Sequence, residues 1–212
     1  TQIDAAEFAV TGTPPLVIAA STTTLAPLEG TLSLPAVGLT VTPSDQIPTA
    51  VFVGAGAGTA GLLQVRGTTL TDIPGGSIRV GHSVAEIADG KVLVLGGGDG
   101  TTLDPNAIVV EAGLEPRATI IPNVLVTPRS GCALAATDKY VIAAGGTAMD
   151  GSVLADAEIL DPVTLAHVTT IPLVVPRTGA IALTLPNDEI IVAGGVDATG
   201  APIGTIELFT PD

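Results

Sequence analysis

Three aspartates, Asp99, Asp150 and Asp197, each stand three to five residues beyond the first glycine of a Gly-Gly pair. Carboxylates gathered on one side of a protein bind Ca²⁺, a hard cation that takes clustered oxygen ligands. Aspartate is also an ordinary turn residue, because its short side chain satisfies nearby backbone N–H groups. Both readings stay open on sequence. Arg79, Arg129 and Arg177 recur at intervals of 50 and 48 residues, and Glu158 and Glu207 lie 49 apart. Guanidinium and carboxylate repeating in phase point to a bidentate charge pair that ties adjacent strands or sheets, with ligand binding as the alternative. The other chemically able residues are few: His82, His167, the single Tyr140 and the single Cys132. Neither their order nor their spacing makes a Ser-His-Asp set. The run Gly96-Gly97-Gly98-Asp99-Gly100 lacks the Lys-Ser/Thr and the following helix of a phosphate loop. Tandem short copies that would make it a calcium-binding β-helix repeat are missing too.

These residues sit in a repeat. Four segments align: Pro35-Ala36-Val37-Gly38 to Gly54, Arg79-Val80-Gly81 to Gly96-Gly97, Pro128-Arg129-Ser130-Gly131 to Gly145-Gly146, and Pro176-Arg177-Thr178-Gly179 to Gly194-Gly195. The glycines at 96, 145 and 194 are 49 residues apart twice over, and the step from Gly54 to Gly96 is 42. Within each repeat, short β-branched apolar runs are bounded by Gly, Pro, Asp or Asn, the pattern of strands rather than helices. Turns at Ala88-Asp89-Gly90, Thr137-Asp138 and Pro186-Asn187-Asp188 join the first two runs into a hairpin. A third strand is expected at 106–111, 156–162 and 205–211, and a fourth at 117–121 and 167–171. In the first repeat, 61–65 and 69–73 fill these places. Glycines that close a strand permit backbone angles and close approaches that a Cβ would block. The double glycines Gly96, Gly97, Gly145, Gly146, Gly194 and Gly195, with the arginines and Glu158 and Glu207, are therefore expected to be structural.

The combined pattern, Pro-Arg-x-Gly, a hairpin ending in Gly-Gly, then Glu-x-hydrophobic-x-Asp-Pro, resembles the kelch-repeat family. Residues 128–162 carry it most fully, ending in Glu158-Ile159-Leu160-Asp161-Pro162. The second repeat has Ile108 where the glutamate belongs, and the first has Ala36 for the arginine. His167 and Arg117 stand where the family usually has a tryptophan. A period near 50 is the length of a kelch blade. The resemblance implies an all-β chain, a β-propeller of about four four-stranded blades over residues 35–78, 79–127, 128–175 and 176–212. The last repeat stops after its third strand, and residues 28–34 are expected to complete it, because a propeller leaves unpaired edges unless its ring closes. Membership of a larger propeller is the alternative. Residues 1–27 carry further strand-like runs at 7–10 and 16–20. The copper oxidase chemistry found among kelch proteins needs converging tyrosines and histidines. One tyrosine and two histidines do not supply it, and His82 falls where later repeats place Cys132 and Ala180.

At 212 residues, 46% hydrophobic and 13% charged, the chain has the material for a sizeable core. With no Trp, one Tyr and three Phe, that core must be Val, Ile, Leu and Ala. The net charge of −14 repels phosphate backbones and anionic headgroups, so nucleic acid is excluded as a partner. No apolar run approaches the ~18 residues of a spanning helix, so no membrane insertion is expected. The N-terminus shows no basic-then-apolar leader pattern. Cys132 has no second cysteine to pair with and lies in an apolar run, where it reads as a small buried hydrophobe. The expected function is a non-catalytic binding or structural propeller, secreted or at a bacterial cell surface, recognising a protein, a glycan or copies of itself. That compartment follows from the acidic, lysine-poor, Thr-, Ala- and Gly-rich composition. Two alternatives stand beside it: a carbohydrate-active hydrolase or lyase, argued from fold alone, and a calcium-stabilised assembly module. No other cofactor is called for.

Overall fold

Short β-branched runs interrupted by glycine and aspartate fold as antiparallel hairpins, one after another. The computed structural model describes Glu7–Val10, Leu16–Ala19 and Leu25–Pro27 as strands, together with residues 36–41, 47, 49–54, 62–66, 69–76, 79–88 and 90–210. Among the described residues there is no helix, and the all-β expectation holds. Strands β1 (Glu7–Val10), β2 (Leu16–Ala19) and β3 (Leu25–Pro27) pair in order as an N-terminal sheet. A first repeat sheet follows, with β4 (Ala36–Val41), β5 (Thr49–Gly54), β6 (Leu62–Arg66) and β7 (Thr69–Asp72). The second holds β8 (Val80–Ala88), β9 (Lys91–Gly98), β10 (Ala107–Glu111) and β11 (Arg117–Ile121). The third holds β12 (Ala133–Ala136), β13 (Val141–Ala144), β14 (Asp156–Leu160) and β15 (His167–Pro172). The fourth has β16 (Ile181–Thr184), β17 (Ile190–Ala193) and β18 (Ile206–Phe209).

All pairings are antiparallel between consecutive strands, so each sheet is a meander. The strands fall where the repeat alignment puts them, and the register repeats as well. Ala143 faces Glu158 in the third sheet as Val192 faces Glu207 in the fourth. The fourth sheet has three strands among the described residues. The closing strand expected at 28–34 lies outside the described residues.

The four repeat sheets stack face on face in chain order. Their first strands lie side by side, β4 beside β8, β8 beside β12, and β12 beside β16. One apolar layer fills each junction. Val51, Val53 and Leu62 pack on Val92, Val94, Ile108 and Val110 between the first and second sheets. Leu93, Leu95 and Ala107 meet Leu134, Val141, Ala143 and Leu160 between the second and third. Ala133, Ala135, Ile142, Ala157 and Ile159 meet Ile190 and Val192 between the third and fourth. Alternate residues of a strand point to opposite faces, so a strand sandwiched between two sheets must be apolar at every position. Strand β13 is, as is β9 beyond its first residue Lys91, and nearly every residue in them is buried. Strand β15, outermost in its sheet, is largely exposed and carries Thr and His. The layers are Val, Ile, Leu and Ala as composition required. The one described aromatic pair, Tyr140 edge-on to Phe209 at 4.9 Å, sits in the last layer.

Candidate functional site

Arg79, Arg129 and Arg177 are essentially fully buried, at 1%, 0% and 0% exposure. A buried guanidinium needs every donor placed and its charge matched. Arg129 lies just ahead of β12 and reaches across its own sheet. Its Nη2 donates to Glu158 Oε1 on β14 at 2.7 Å and lies 2.9 Å from Asp156 Oδ1, while Nη1 donates to the Gly145 carbonyl at 3.0 Å. Glu158, itself 1% exposed, accepts 2.8 Å bonds from the N–H groups of Val126 and Thr127 in the segment leading into the sheet. Arg177 repeats this on Glu207 at 2.7 Å and on the carbonyls of Gly194 and Thr205, both at 3.1 Å. Glu207 in turn accepts from Val174 and Val175.

The recurring pair is thus a clamp that fastens the lead-in segment to the third strand of the same sheet. It closes through one guanidinium nitrogen, the others going to backbone carbonyls, rather than as the bidentate fork expected. The second repeat, which has Ile108 for the glutamate, builds the clamp differently: Arg79 Nη2 bonds Asp104 Oδ2 at 2.7 Å, and Nη1 bonds the Asn106 carbonyl at 2.7 Å. Sequence reasoning missed Asp104 because it stands four residues ahead of the expected place. Its signal was an acid in Asp104-Pro105-Asn106 in a repeat that otherwise left its arginine unmatched.

The junctions between sheets are made by the backbone of the same motif. The Arg129 carbonyl accepts from Gly97 N–H at 2.8 Å, and the Arg177 carbonyl from Gly146 N–H at 2.8 Å. Gly131 N–H donates to the Gly81 carbonyl at 2.7 Å, and Gly179 N–H to the Gly131 carbonyl at 2.8 Å. The double glycine is required on two counts. Gly96 has φ +70°, and a Cβ there would lie 2.6 Å from the Arg129 carbonyl oxygen. Gly145 has φ +62° and would meet the Arg177 carbonyl in the same way.

Asp99, Asp150 and Asp197 occupy three separate loops at one end of the stack. Each folds its own loop. Asp99 Oδ1 accepts from Thr101 N–H at 2.8 Å and Thr102 N–H at 2.7 Å, Asp150 Oδ1 from Ser152 N–H at 2.9 Å, and Asp197 Oδ1 from Thr199 N–H at 2.8 Å and Ala201 N–H at 3.0 Å. The Ser152 and Thr199 hydroxyls donate to Asp150 and Asp197 as well, and these bonds favour the carboxylate and lower the pKa of all three, most strongly that of Asp99. Among the described residues no group of three or more His, Cys, Asp or Glu side chains is placed to hold a metal ion. Asp161 makes an equivalent turn with Val163 and Thr164.

Between the loops at this end lies a cavity of about 250 Å³, lined by Val80, Gly98, Thr102, Leu103, Ser130, Thr147 and Met149. A neighbouring hollow of about 440 Å³ adds Thr127, Pro128 and Asp150. The walls offer hydroxyls and apolar surface, with Met149 60% exposed. At the opposite end a cavity of about 500 Å³ is lined by residues of all four first strands, including Leu39, Val84, Leu134 and Ala182. Glu86, Thr137, Asp138 and Thr184 are its polar lining.

The remaining candidates are accounted for locally. His82 is buried, its Nδ1 is 3.1 Å from the Arg79 carbonyl, and burial lowers its pKa below the usual histidine value. His167 is exposed on β15 with Nε2 2.9 Å from Thr170 Oγ1. Cys132 is buried between sheets, and burial pushes its thiol pKa up, away from the reactive thiolate.

No family model matches the chain, and no curated protein does. Among solved structures it is similar to one described as "Structure of YjhT", with a TM-score of 0.66 and 13% identity over 93% of this chain and 72% of that one. At that identity the likeness concerns the fold alone.

Proposed function

We propose that the four repeat sheets are successive blades of a kelch-like β-propeller, and that the protein is a non-catalytic binding module acting at a bacterial surface or in its surroundings. The observation that carries the reading is the 500 Å³ cavity to which the first strand of every repeat sheet contributes, as it would around a propeller axis. The recurrence of the clamp arginines at 50 and 48 residues and the face-to-face stacking in chain order support it. In a ring of this kind the loops carrying Asp99, Asp150 and Asp197 share one face. The buried arginines and their carboxylates are committed to fastening sheets, and the loop aspartates to their own turns. What the loop face offers a partner is hydroxyl and apolar surface around Thr102, Leu103, Thr147 and Met149. Such a lining suits a neutral oligosaccharide or an uncharged protein segment, and the net charge of −14 turns away anionic ligands.

A panel of immobilised neutral oligosaccharides tests this with the whole chain. Retention of one or more by the wild type, lost on Met149→Asp but kept on Val163→Asp at an exposed turn of the third sheet, is the expected result. Retention unaffected by Met149→Asp would place binding elsewhere and overturn the loop-face reading.

A further inference from the structure

The repeat fixes some positions and frees others. Each Arg-x-Gly turn needs its arginine for the clamp and its glycine for the junction, but x is Val80 in the second repeat, Ser130 in the third and Thr178 in the fourth. Ser130 Oγ stands against the bare Cα of Gly81, where a Cβ would lie 2.5 Å from it. Thr178 Oγ1 stands against Gly131 in the same way, but it accepts a bond from Thr147 Oγ1 at 3.0 Å. The cavity of about 250 Å³ is walled by the second and third sheets, with Val80 and Ser130 in its lining. Each of these sheets is packed on its other face by a further sheet, so the cavity does not lie at an end of the stack. Of the hydroxyls that line it, Thr101 and Thr102 donate to Asp99 Oδ1 and Thr147 donates to Thr178. Among the described residues Ser130 Oγ makes no hydrogen bond, while its main chain is tied to Thr147 at 3.0 and 2.8 Å. The rest of the wall is apolar, with Val80, Leu103, Ala148 and Met149, and no ionisable side chain among the described residues lines it.

We propose that this cavity is a subsite for one 6-deoxyhexose unit, a sugar with a methyl group where a hexose carries a hydroxymethyl, and that Ser130 determines its specificity. The proposal rests on the loop-face reading given above and names the sugar class that face takes. Size limits the occupant first. Drug-sized ligands fill about 300–1,000 Å³, so the space here holds a single ring. One unspent hydroxyl then serves one ring hydroxyl, as donor or acceptor. Any sugar hydroxyl turned toward Val80, Leu103 or Met149 gives up water and gains no partner, the costly outcome for a buried polar group. A methyl group loses nothing there and gains apolar contact. An acidic or amino sugar finds no counter-ion in the wall.

Saturation-transfer NMR and titration of the whole chain test this with four probes: the methyl glycosides of L-fucose and L-rhamnose, and those of their 6-hydroxylated parents, L-galactose and L-mannose. At least one 6-deoxy glycoside is expected to bind about tenfold or more tighter than its parent, with its C6 methyl protons the most strongly saturated. Ser130→Ala should weaken that binding about tenfold and leave the melting temperature unchanged. Val80→Thr, which puts a hydroxyl on the apolar wall at nearly the same volume, should erase the preference for the 6-deoxy form while binding persists. Binding of none of the four probes, parents held as tightly as the 6-deoxy forms, or Ser130→Ala binding as the wild type does would each overturn the proposal. If the oligosaccharide panel is then still retained, and still lost on Met149→Asp, the loop-face reading stands and only this inference falls. If the panel result fails as well, the loop-face reading itself is overturned.

Discussion

Replacing Arg129 by methionine removes a fully buried cation while keeping most of its volume. The side chain reaches Glu158 Oε1, Asp156 Oδ1 and the carbonyls of Thr127 and Gly145. Asp156 is about a third exposed and keeps part of its contact with water, although its Oδ1 is buried, whereas Glu158 is 1% exposed and has none. Two backbone N–H donors, from Val126 and Thr127, still hold Glu158, yet its charge is left without a counter-ion. Breaking a buried pair from one side costs about 3–5 kcal/mol. Against a total of about 5–15 kcal/mol for a folded domain, that is a third or more of the stability. Removing both charges, as Arg129→Met with Glu158→Gln, should restore at least about 1–2 kcal/mol, since the orphaned carboxylate was the main cost. Arg177→Met should cost less, because Glu207 is 15% exposed and part of its charge reaches solvent. Urea denaturation followed by far-ultraviolet circular dichroism measures each of these variants against the wild type. A loss below about 1 kcal/mol for Arg129→Met, or a double variant as unstable as the two single changes summed, would refute the clamp as the source of stability.

Other expectations follow from the same geometry. Gly145→Ala places a Cβ against the Arg177 carbonyl at φ +62°, whereas Gly194→Ala at φ +68° meets open space; both carry about 1 kcal/mol or more of backbone strain, but only the first should also loosen the junction between the third and fourth sheets, seen as the larger drop in melting temperature. His82 has a folded-state pKa below its ordinary 6.5, so the unfolded chain takes the proton first. Its contribution is therefore complete above about pH 6.5 and falls as pH drops below that, and His82→Gln should flatten the melting temperature across that window. The loop carboxylates Asp99, Asp150, Asp161 and Asp197 are shifted downward, so their stabilisation persists until pH falls below about 4, well separated from the histidine step. Because each loop aspartate is already satisfied by its own turn, a chelator and saturating calcium should leave the melting temperature equal; a rise of several degrees with calcium would show the loops to be ligands.

Sequence alone determined the strands of the four repeats among the described residues, with their order and pairing, but not β3 at Leu25–Pro27. The reason is that hairpins are local: a turn at Thr137-Asp138 or Asn187-Asp188 fixes which residues of the two flanking apolar runs face each other. It also marked Arg129, Arg177, Glu158, Glu207 and the double glycines, because a requirement met once per sheet leaves its trace once per period. What the chain's order could not hold was partnership across space. That Asp104 replaces a missing glutamate depends on where a loop returns. That the loop aspartates serve their own backbones depends on which donors come within hydrogen-bonding reach. That Ile181, Leu183, Ile206 and Leu208 are exposed among the described residues, although their counterparts one repeat earlier are buried, depends on which surface packs beside them. Residue type records what a position requires, and only the packed structure decides whether the requirement has been met.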